Sequence, residues 1–586
     1  MSDPTSLFET ASLLAVDIGA STTRAILFEV VEGQYRLIAM GQSPTTSEMP
    51  IRDIGEGARQ AIENLQSILG RPLLDAEQQL IIPTQPDGAG IDAVVATIST
   101  GPVVRTVVAG LLSSVSLESA QRLSETICSS IVETLSLKDH RKPEEQIDSI
   151  IRVHPDLIII AGGTDGGASR SIKKMVEVIG LACYLMPKDK RPVVLFAGNQ
   201  NLEKEVRAAL EPLSSSFHVS PNIRPSLEVE DLEPARKELA RIFLEIRKRQ
   251  IGGVEEVSRL SGDLIMPPAF GLGRIIRLLS QMYKPGKGIL AADVGASAVT
   301  IAAGFDDKMA LNVYPYLGLG ENLPGILRFT SLDDIARWMP VDISRDFIQN
   351  YLFQKSLHPT SIPATKEDLM IEQSLARQAL RLAFAAAGKS YPTAVCFPGV
   401  HLRPLHDFIY AGGSVITNTP SLGQSLLLLL DGLQPAGITN FILDRNNLLP
   451  VLGAAADFNK TLPIQVIESG AFVNLAMVVS PVSNTRYGTV ILRTRLIYAD
   501  GKVTKSEVKH GGLVVLPLAA GQTAQLELHP IHQADAGFGS GRAGKINVTG
   551  GALGVVIDAR GRPLELPIDA QRRRELIKKW RWIMGG

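Results

Sequence analysis

The sequence predicts an α/β protein built on a repeated strand–turn–strand unit and finished by a β-rich C-terminal part. Three observations carry that expectation. The apolar run Leu13-Leu14-Ala15-Val16 ends in Asp17-Ile18-Gly19-Ala20-Ser21-Thr22-Thr23-Arg24, and a second apolar run, Ala25 to Phe28, follows it. The same pattern returns at Ile289-Leu290-Ala291-Ala292-Asp293-Val294-Gly295-Ala296-Ser297-Ala298-Val299-Thr300. From about residue 468, short alternating runs separated by turn residues replace the longer helical and apolar segments.

Each repeat reads as a hairpin whose turn offers backbone N–H groups and hydroxyls to an anion. Glycine there lets the backbone approach a phosphate closely. Gly19, Ala20, Ser21 and Thr22 are the candidate cradle, and Gly295 and Ser297 its counterpart in the second repeat. A carboxylate at Asp17 repels a bare phosphate, so a Mg²⁺ ion between the two, held directly or through water, reconciles them and makes Asp17 the candidate metal ligand. The competing reading of Asp17 is a turn cap. Two such units point to a duplicated fold that grips one nucleotide from both sides.

At 586 residues the chain has room for two or three domains. Its 59 Lys and Arg balance 60 Asp and Glu, so no global field favours nucleic acid or an anionic membrane. Cys128, Cys183 and Cys396 stand far apart, outside any metal-ligand spacing, and read as buried free thiols in a reducing compartment. The stretch from Met1 to Ala11 lacks a basic segment followed by an apolar core, and the longest leucine run, Leu426 to Leu430, falls far below the ~20 residues of a membrane span. A cytoplasmic protein is expected.

Along the first half, Ile54, Ala58, Ala61, Ile62, Leu65 and Leu69 have helical spacing, and Ala93 to Ser99 reads as a buried strand. The apolar run Val103 to Leu112 is followed by Ser116-Leu117-Glu118-Ser119, which predicts a helix through Ile131. Leu157 to Ala161 suits a central strand of a parallel sheet and ends in Gly162-Gly163-Thr164-Asp165-Gly166-Gly167, where open α/β sheets bind ligands. Asp165 is either a carboxylate that orients an attacking water or an Asx-turn residue holding its loop. A second strand–loop–helix unit follows from Val193, a charged helix covers residues 233 to 250, and Lys284-Pro285-Gly286-Lys287-Gly288 reads as a linker.

The second half has helical segments at 331–356 and 366–387, a strand running into Gly412-Gly413, and a leucine-rich helix from Leu422 to Leu433. Beyond residue 468, Thr489 to Ala499 alternates around Arg493 and Arg495 before an Asp500-Gly501 turn, and a basic helix, Ala570 to Met584, closes the chain. These features divide the chain at 12–285, 286–467 and 468–586. His529 and His532, near Asp535, are too few for zinc, and Pro530 breaks a helix face.

Several segments together resemble the glutamate mutase accessory proteins called MutL: Asp17 to Thr23, Pro44-Thr45-Thr46, Ala161 to Gly167, Ala197-Gly198-Asn199, Asn222-Ile223-Arg224-Pro225, Glu233-Pro234-Ala235-Arg236, Met266-Pro267-Pro268 and Asp293-Val294-Gly295. The likeness spans roughly residues 12 to 457. It implies a two-lobed, RNase H-like core of the actin-like ATPase kind, ATP and Mg²⁺ in the cleft, and a tie to adenosylcobalamin-dependent carbon-skeleton mutases. Gly412 and Gly413 then match the place where backbone packs on adenosine, with an ordinary strand–helix turn as the alternative. Asp17, Asp165 and Asp293 are the candidate catalytic carboxylates of a possible ATPase. The family's second loop usually reads Asp-Val-Gly-Gly-Ala-Thr-Thr-Asp. Here one glycine, the paired threonines and the following acid are missing, which counts against hydrolysis more than against binding. Three functions stay open: an ATP-driven accessory factor that remodels a mutase, a small-molecule kinase of the same fold, and a nucleotide-binding scaffold with little turnover.

Overall fold

The computed structural model describes residues 11–283, 286–306, 308–391 and 406–585. Cys396 and the first two residues of the expected linker, Lys284 and Pro285, lie outside them. The chain forms two compact units. The first comprises residues 11–29, 38–271 and 312–315, and the second the described parts of 30–37, 272–311 and 316–585.

In the first unit, strand Ser12–Ile18 is buried at every position. It pairs antiparallel with Thr22–Val31 and in parallel with Ala93–Ile98. Adding Gln34–Pro44 and Ile265–Met266 gives a five-stranded sheet whose order, numbered along the chain, is 5-4-1-2-3. That is the RNase H-like arrangement. Helix Ile54–Leu69 forms where its spacing predicts: the Asp53 carboxylate accepts the Gly55 N–H at its start, and Gly70 ends it in a left-handed conformation. Its buried face joins Leu14, Val16 and Leu27 in one core.

A second sheet of the first unit is parallel throughout. Its strands are Val104–Gly110, Ser129–Leu135, Leu157–Ala161, Val193–Phe196 and Ser216–Val219, in local order 2-1-3-4-5, with their own core around Ile158, Ile160, Ile179 and Phe196. The helix expected through Ile131 is overturned here: it stops at Ser124, and Ser129–Leu135 is a strand. Local hydroxyls end it. Thr126 Oγ1 donates to the Leu123 carbonyl and Ser129 Oγ to the Ser124 carbonyl, both at 2.7 Å. Beyond that turn, β-branched Ile131 and Val132 fit the pleated surface.

Helix Glu233–Gln250 is tied to the edge of this sheet by His218, whose Nδ1 and Nε2 lie 2.8 Å from Glu238 Oε1 and Glu245 Oε2. Hydrogen bonds that the imidazolium donates to Glu238 and then Glu245 raise His218 from 6.5 to about 9, and accepting from His218 lowers Glu245 to about 2. The imidazolium contribution is therefore complete below pH 6.5 and is lost as pH rises through about 9. The Glu245 contribution is present above its ordinary value and is lost as pH falls toward about 2. Between pH 6.5 and 9 the parent should lose about 1–2 kcal/mol more stability than His218→Gln, read by urea unfolding at several pH values. Parallel pH profiles for the two proteins would remove the imidazolium from the account.

The second unit carries an eight-stranded sheet. Strands Ile289–Val294, Val299–Phe305, Lys308–Tyr314, Phe408–Gly412 and Gly437–Leu443 repeat the RNase H-like order, and Val473–Ser480, Val555–Ala559 and Gly512–Leu516 extend the same sheet. Val473–Ser480, past the expected boundary at residue 467, runs antiparallel to Gly437–Leu443. Four further strands, Val490–Tyr498, Val503–Lys509, Thr523–Pro530 and Gly544–Thr549, make an antiparallel sheet that shares a core with the extension through Leu492, Leu526, Val548 and Ile557. Helix Ala570–Ile583 is capped by Asp569 and buries Ile577 and Trp580. Among the described residues no helix is long and apolar enough to cross a membrane.

Candidate functional site

In the first unit, Asp17 stands near the end of the central strand and is 2 % exposed. Its Oδ1 accepts from Thr97 Oγ1 at 2.7 Å, and its Oδ2 meets Arg24 Nη1 at 3.1 Å. The turn after it is tight: Gly19 N–H donates to the Thr22 carbonyl at 3.0 Å. A Cβ on Gly19 would sit 2.7 Å from that same carbonyl oxygen, so only glycine closes the turn. Thr45 braces it from outside. Its N–H donates to the Ser21 carbonyl at 3.1 Å and its hydroxyl to the Gly19 carbonyl at 2.9 Å. Thr23 and Thr45 hydroxyls meet at 2.9 Å. The carbonyls of the turn are thus turned toward Thr45. Among the described residues the N–H groups of Ala20 and Ser21 have no intramolecular acceptor. Two half-buried N–H donors beside the hydroxyls of Ser21 and Thr22 fit a phosphate oxygen.

The second unit repeats the geometry. Gly295 N–H donates to the Ala298 carbonyl, again at 3.0 Å, directly after strand Ile289–Val294. Asp293 pairs in register with Gly412 of the neighbouring parallel strand. A Cβ on Gly412 would lie 3.1 Å from Asp293 Oδ1. Gly413 follows at φ +97°, against the backbone of Val294. Asp293, Gly412, Tyr410, Asp444, Asn447 and Leu449 line one small cleft of this unit. Ser297 is half-buried on the turn itself.

Asp444 is the residue that sequence reasoning missed. It is 2 % exposed, and its two carboxylate oxygens accept the Leu448 and Leu449 N–H groups at 2.8 Å each, capping helix Leu448–Ala455. An acid four residues before a leucine-rich helix was the available signal.

Asp165 lies elsewhere in the first unit, in the glycine loop after strand Leu157–Ala161 of the all-parallel sheet, whereas Asp17 belongs to the RNase H-like sheet. Its Oδ1 accepts from Asn222 Nδ2 at 2.9 Å and from Gln200 N at 3.2 Å, while its own N–H donates to the Pro225 carbonyl. With the Gly166 N–H donating to Asn199 Oδ1 and Asn199 Nδ2 donating to the Gly167 carbonyl, both at 3.3 Å, these bonds tie Asn199-Gln200 and Asn222 to Pro225 into one crown around the glycine loop. The motif segments Ala197 to Asn199 and Asn222 to Pro225 are therefore the partners of Ala161 to Gly167.

Among the described residues no group of three or more His, Cys, Asp and Glu side chains is placed to hold a metal. His529 instead stands 3.7 Å from Glu527. Cys128 and Cys183 are buried free thiols, and burial pushes Cys183 up to about 12.

A family model described as MutL protein matches residues 13–470. Protein MutL of Clostridium tetanomorphum is 22% identical over 392 residues, which is 63% of this chain and 77% of that protein. Among solved structures, nucleotide-free acetone carboxylase is 11% identical with a TM-score of 0.30, covering 86% of this chain and 81% of its own. The ethanolamine utilization protein EutJ of Carboxydothermus hydrogenoformans is 10% identical with a TM-score of 0.27, covering 76% of this chain and 90% of its own. With most of its length matched by that one model, the chain belongs to the MutL protein family.

Proposed function

We propose that the protein is an ATP-binding accessory or reactivating factor for an adenosylcobalamin-dependent mutase. One observation carries the reading. The same Asp-x-Gly turn, with the same 3.0 Å N–H to carbonyl bond, closes the first hairpin of both RNase H-like sheets. Family membership supports the link to a mutase. In this reading Gly19, Ala20, Ser21 and Thr22, with Gly295 and Ser297, hold phosphate oxygens, and Gly412 and Gly413 lie against adenosine. Asp17 orients a Mg²⁺ ion, directly or through water, which supplies neutralising charge to the phosphates. Asp293, beside Gly412, is better placed than the loop-bracing Asp165 to orient a water. The lobes close when the turns are occupied and reopen when they empty, and this motion remodels the partner.

A scaffold with little turnover is the second reading. Both Asp17 oxygens are already engaged by Thr97 and Arg24, and Ser297 stands between two alanines rather than among threonines.

The test is a calorimetric titration with Mg-ATP, paired with a pull-down from native cells in its presence. Asp17→Ala should weaken Mg-ATP at least about tenfold, near 1.4 kcal/mol. It should also fail to recover the mutase subunit that the parent recovers. A parent protein that ignores Mg-ATP overturns nucleotide binding. One that binds Mg-ATP yet never recovers a mutase loses the accessory role and leaves the scaffold.

A further inference from the structure

The four-stranded antiparallel sheet of the second unit has one face on the core and one face outward. Its register brings outward side chains of neighbouring strands into rows. Lys505, Arg495, Glu527 and Lys545 form one row, and Glu507, Arg493 and His529 the next. Lys509 ends its strand on the same side. Five Lys and Arg therefore share a face with two Glu, in a chain whose formal charge is only −1.

One acid, Glu507, is exposed and pairs with Arg493 at 2.9 Å, while the other lies under the cations. Glu527 is 5% exposed and lies beneath Lys545 at 2.6 Å and Arg495 at 3.0 Å, which are themselves 63% and 45% exposed. Arg495 is also placed directly opposite Lys505. Like charges facing each other across a strand pair oppose folding. A local choice that works against stability marks a surface selected for something else. Four strands spaced ~4.8 Å apart spread the row over roughly 14 Å.

Among the outward residues of these strands none is Phe, Tyr or Trp. Single-stranded nucleic acid draws much of its affinity from stacking on such rings, and amphipathic membrane anchors insert them. We infer that the outward face of the sheet built on Arg493, Arg495, Lys505, Lys509 and Lys545 docks a carboxylate-rich surface of a protein partner. Arginine receives carboxylates in a two-pronged geometry, and lysine adds charge without it. The inference stands apart from nucleotide binding, which involves other residues.

The probe is a fluorescein-labelled oligo-glutamate peptide, titrated by anisotropy against the full-length protein. A labelled single-stranded oligonucleotide and phosphatidylserine vesicles run in parallel. Lys505→Glu/Lys545→Glu should weaken the peptide at least tenfold. Lys578→Glu/Lys579→Glu, an equal charge change on the exposed face of the terminal helix, should change it less than twofold. Affinity should also fall about tenfold between 50 and 200 mM salt. Lys505→Gln guards against a folding artefact: relief of the Arg495 repulsion should leave the melting temperature equal or higher while binding weakens. Equal losses in both Glu pairs, no peptide binding, tighter binding to the oligonucleotide or the vesicles, or a Lys505→Gln protein that melts lower would each overturn the docking surface.

Discussion

Asp558→Asn should destabilise the second unit by about 3–5 kcal/mol, the loss expected when one partner of a buried ion pair is removed. Asp558 is fully buried and holds two arginines. Its Oδ1 accepts from Arg560 Nε at 2.8 Å, and its Oδ2 accepts from Arg562 Nη2 at 2.7 Å and Arg560 Nη2 at 3.0 Å. Arg560 also reaches Asp431 at 2.7 Å, and Asp431 in turn pairs with Arg377 at 2.8 Å. Three buried guanidinium groups thus share two carboxylates. Burial alone would push the Asp558 carboxyl up, but Arg560 and Arg562 more than reverse this and hold it well below the usual carboxylate range. An asparagine leaves three cations against one acid with no water to screen them. The surplus charge falls where Arg560 stacks on Trp580 of the terminal helix, 4.8 Å from the ring centroid, so that helix should loosen with the network. Tryptophan fluorescence and calorimetry read both effects, with a fall in the unfolding temperature of roughly 10 °C. The exposed pair Arg493–Glu507 provides scale: Glu507→Gln should cost under ~0.5 kcal/mol. A comparable cost for Asp558→Asn would show that water reaches the network.

Local features were legible in the chain wherever one segment determines its own conformation. Helix Ile54–Leu69 carries its cap, its stop signal and its apolar stripe within itself, and structure and expectation agree to within a residue. The two Asp-x-Gly hairpins are equally self-contained. Pairings between distant segments were not legible. Strand Val555–Ala559 joins the main sheet beside Val473–Ser480, some 80 residues earlier in the chain, and nothing in either run names the other. The C-terminal part reads from sequence as separate because its strands are short and alternating. That texture cannot distinguish a new sheet from an extension of an old one. The strand Ser129–Leu135 was hidden by a cap-like Ser116 upstream, since a start signal says nothing about where hydroxyls downstream will end the helix. At the candidate site the turns were visible but their supports were not. Thr45 and Asp444 act through bonds to backbone groups, and those bonds have no signature beyond a small polar residue in a plausible place.

Gly413→Ala should abolish most nucleotide affinity while leaving the first unit untouched. Gly413 sits at φ +97° and ψ 139°, a combination that essentially only glycine adopts. A Cβ there would stand 2.1 Å from the Val294 carbonyl oxygen, 2.7 Å from its carbon and 2.8 Å from its nitrogen. All three are backbone atoms, so no side chain can swing aside. The peptide between Asp293 and Gly295 must move, and with it the turn proposed to hold phosphate. Mg-ATP should weaken at least tenfold, about 1.4 kcal/mol, in the titration used for Asp17→Ala. Backbone strain alone must be separated from displacement of the turn. Gly470 offers the control, because it lies in the same unit at φ +86° with nothing within 4 Å of its would-be Cβ. Gly470→Ala should cost about 1 kcal/mol in stability from its left-handed backbone and leave Mg-ATP affinity within twofold of the parent. If Gly413→Ala binds Mg-ATP as Gly470→Ala does, the turn at Asp293 is not a phosphate site, whatever Asp17 proves to do.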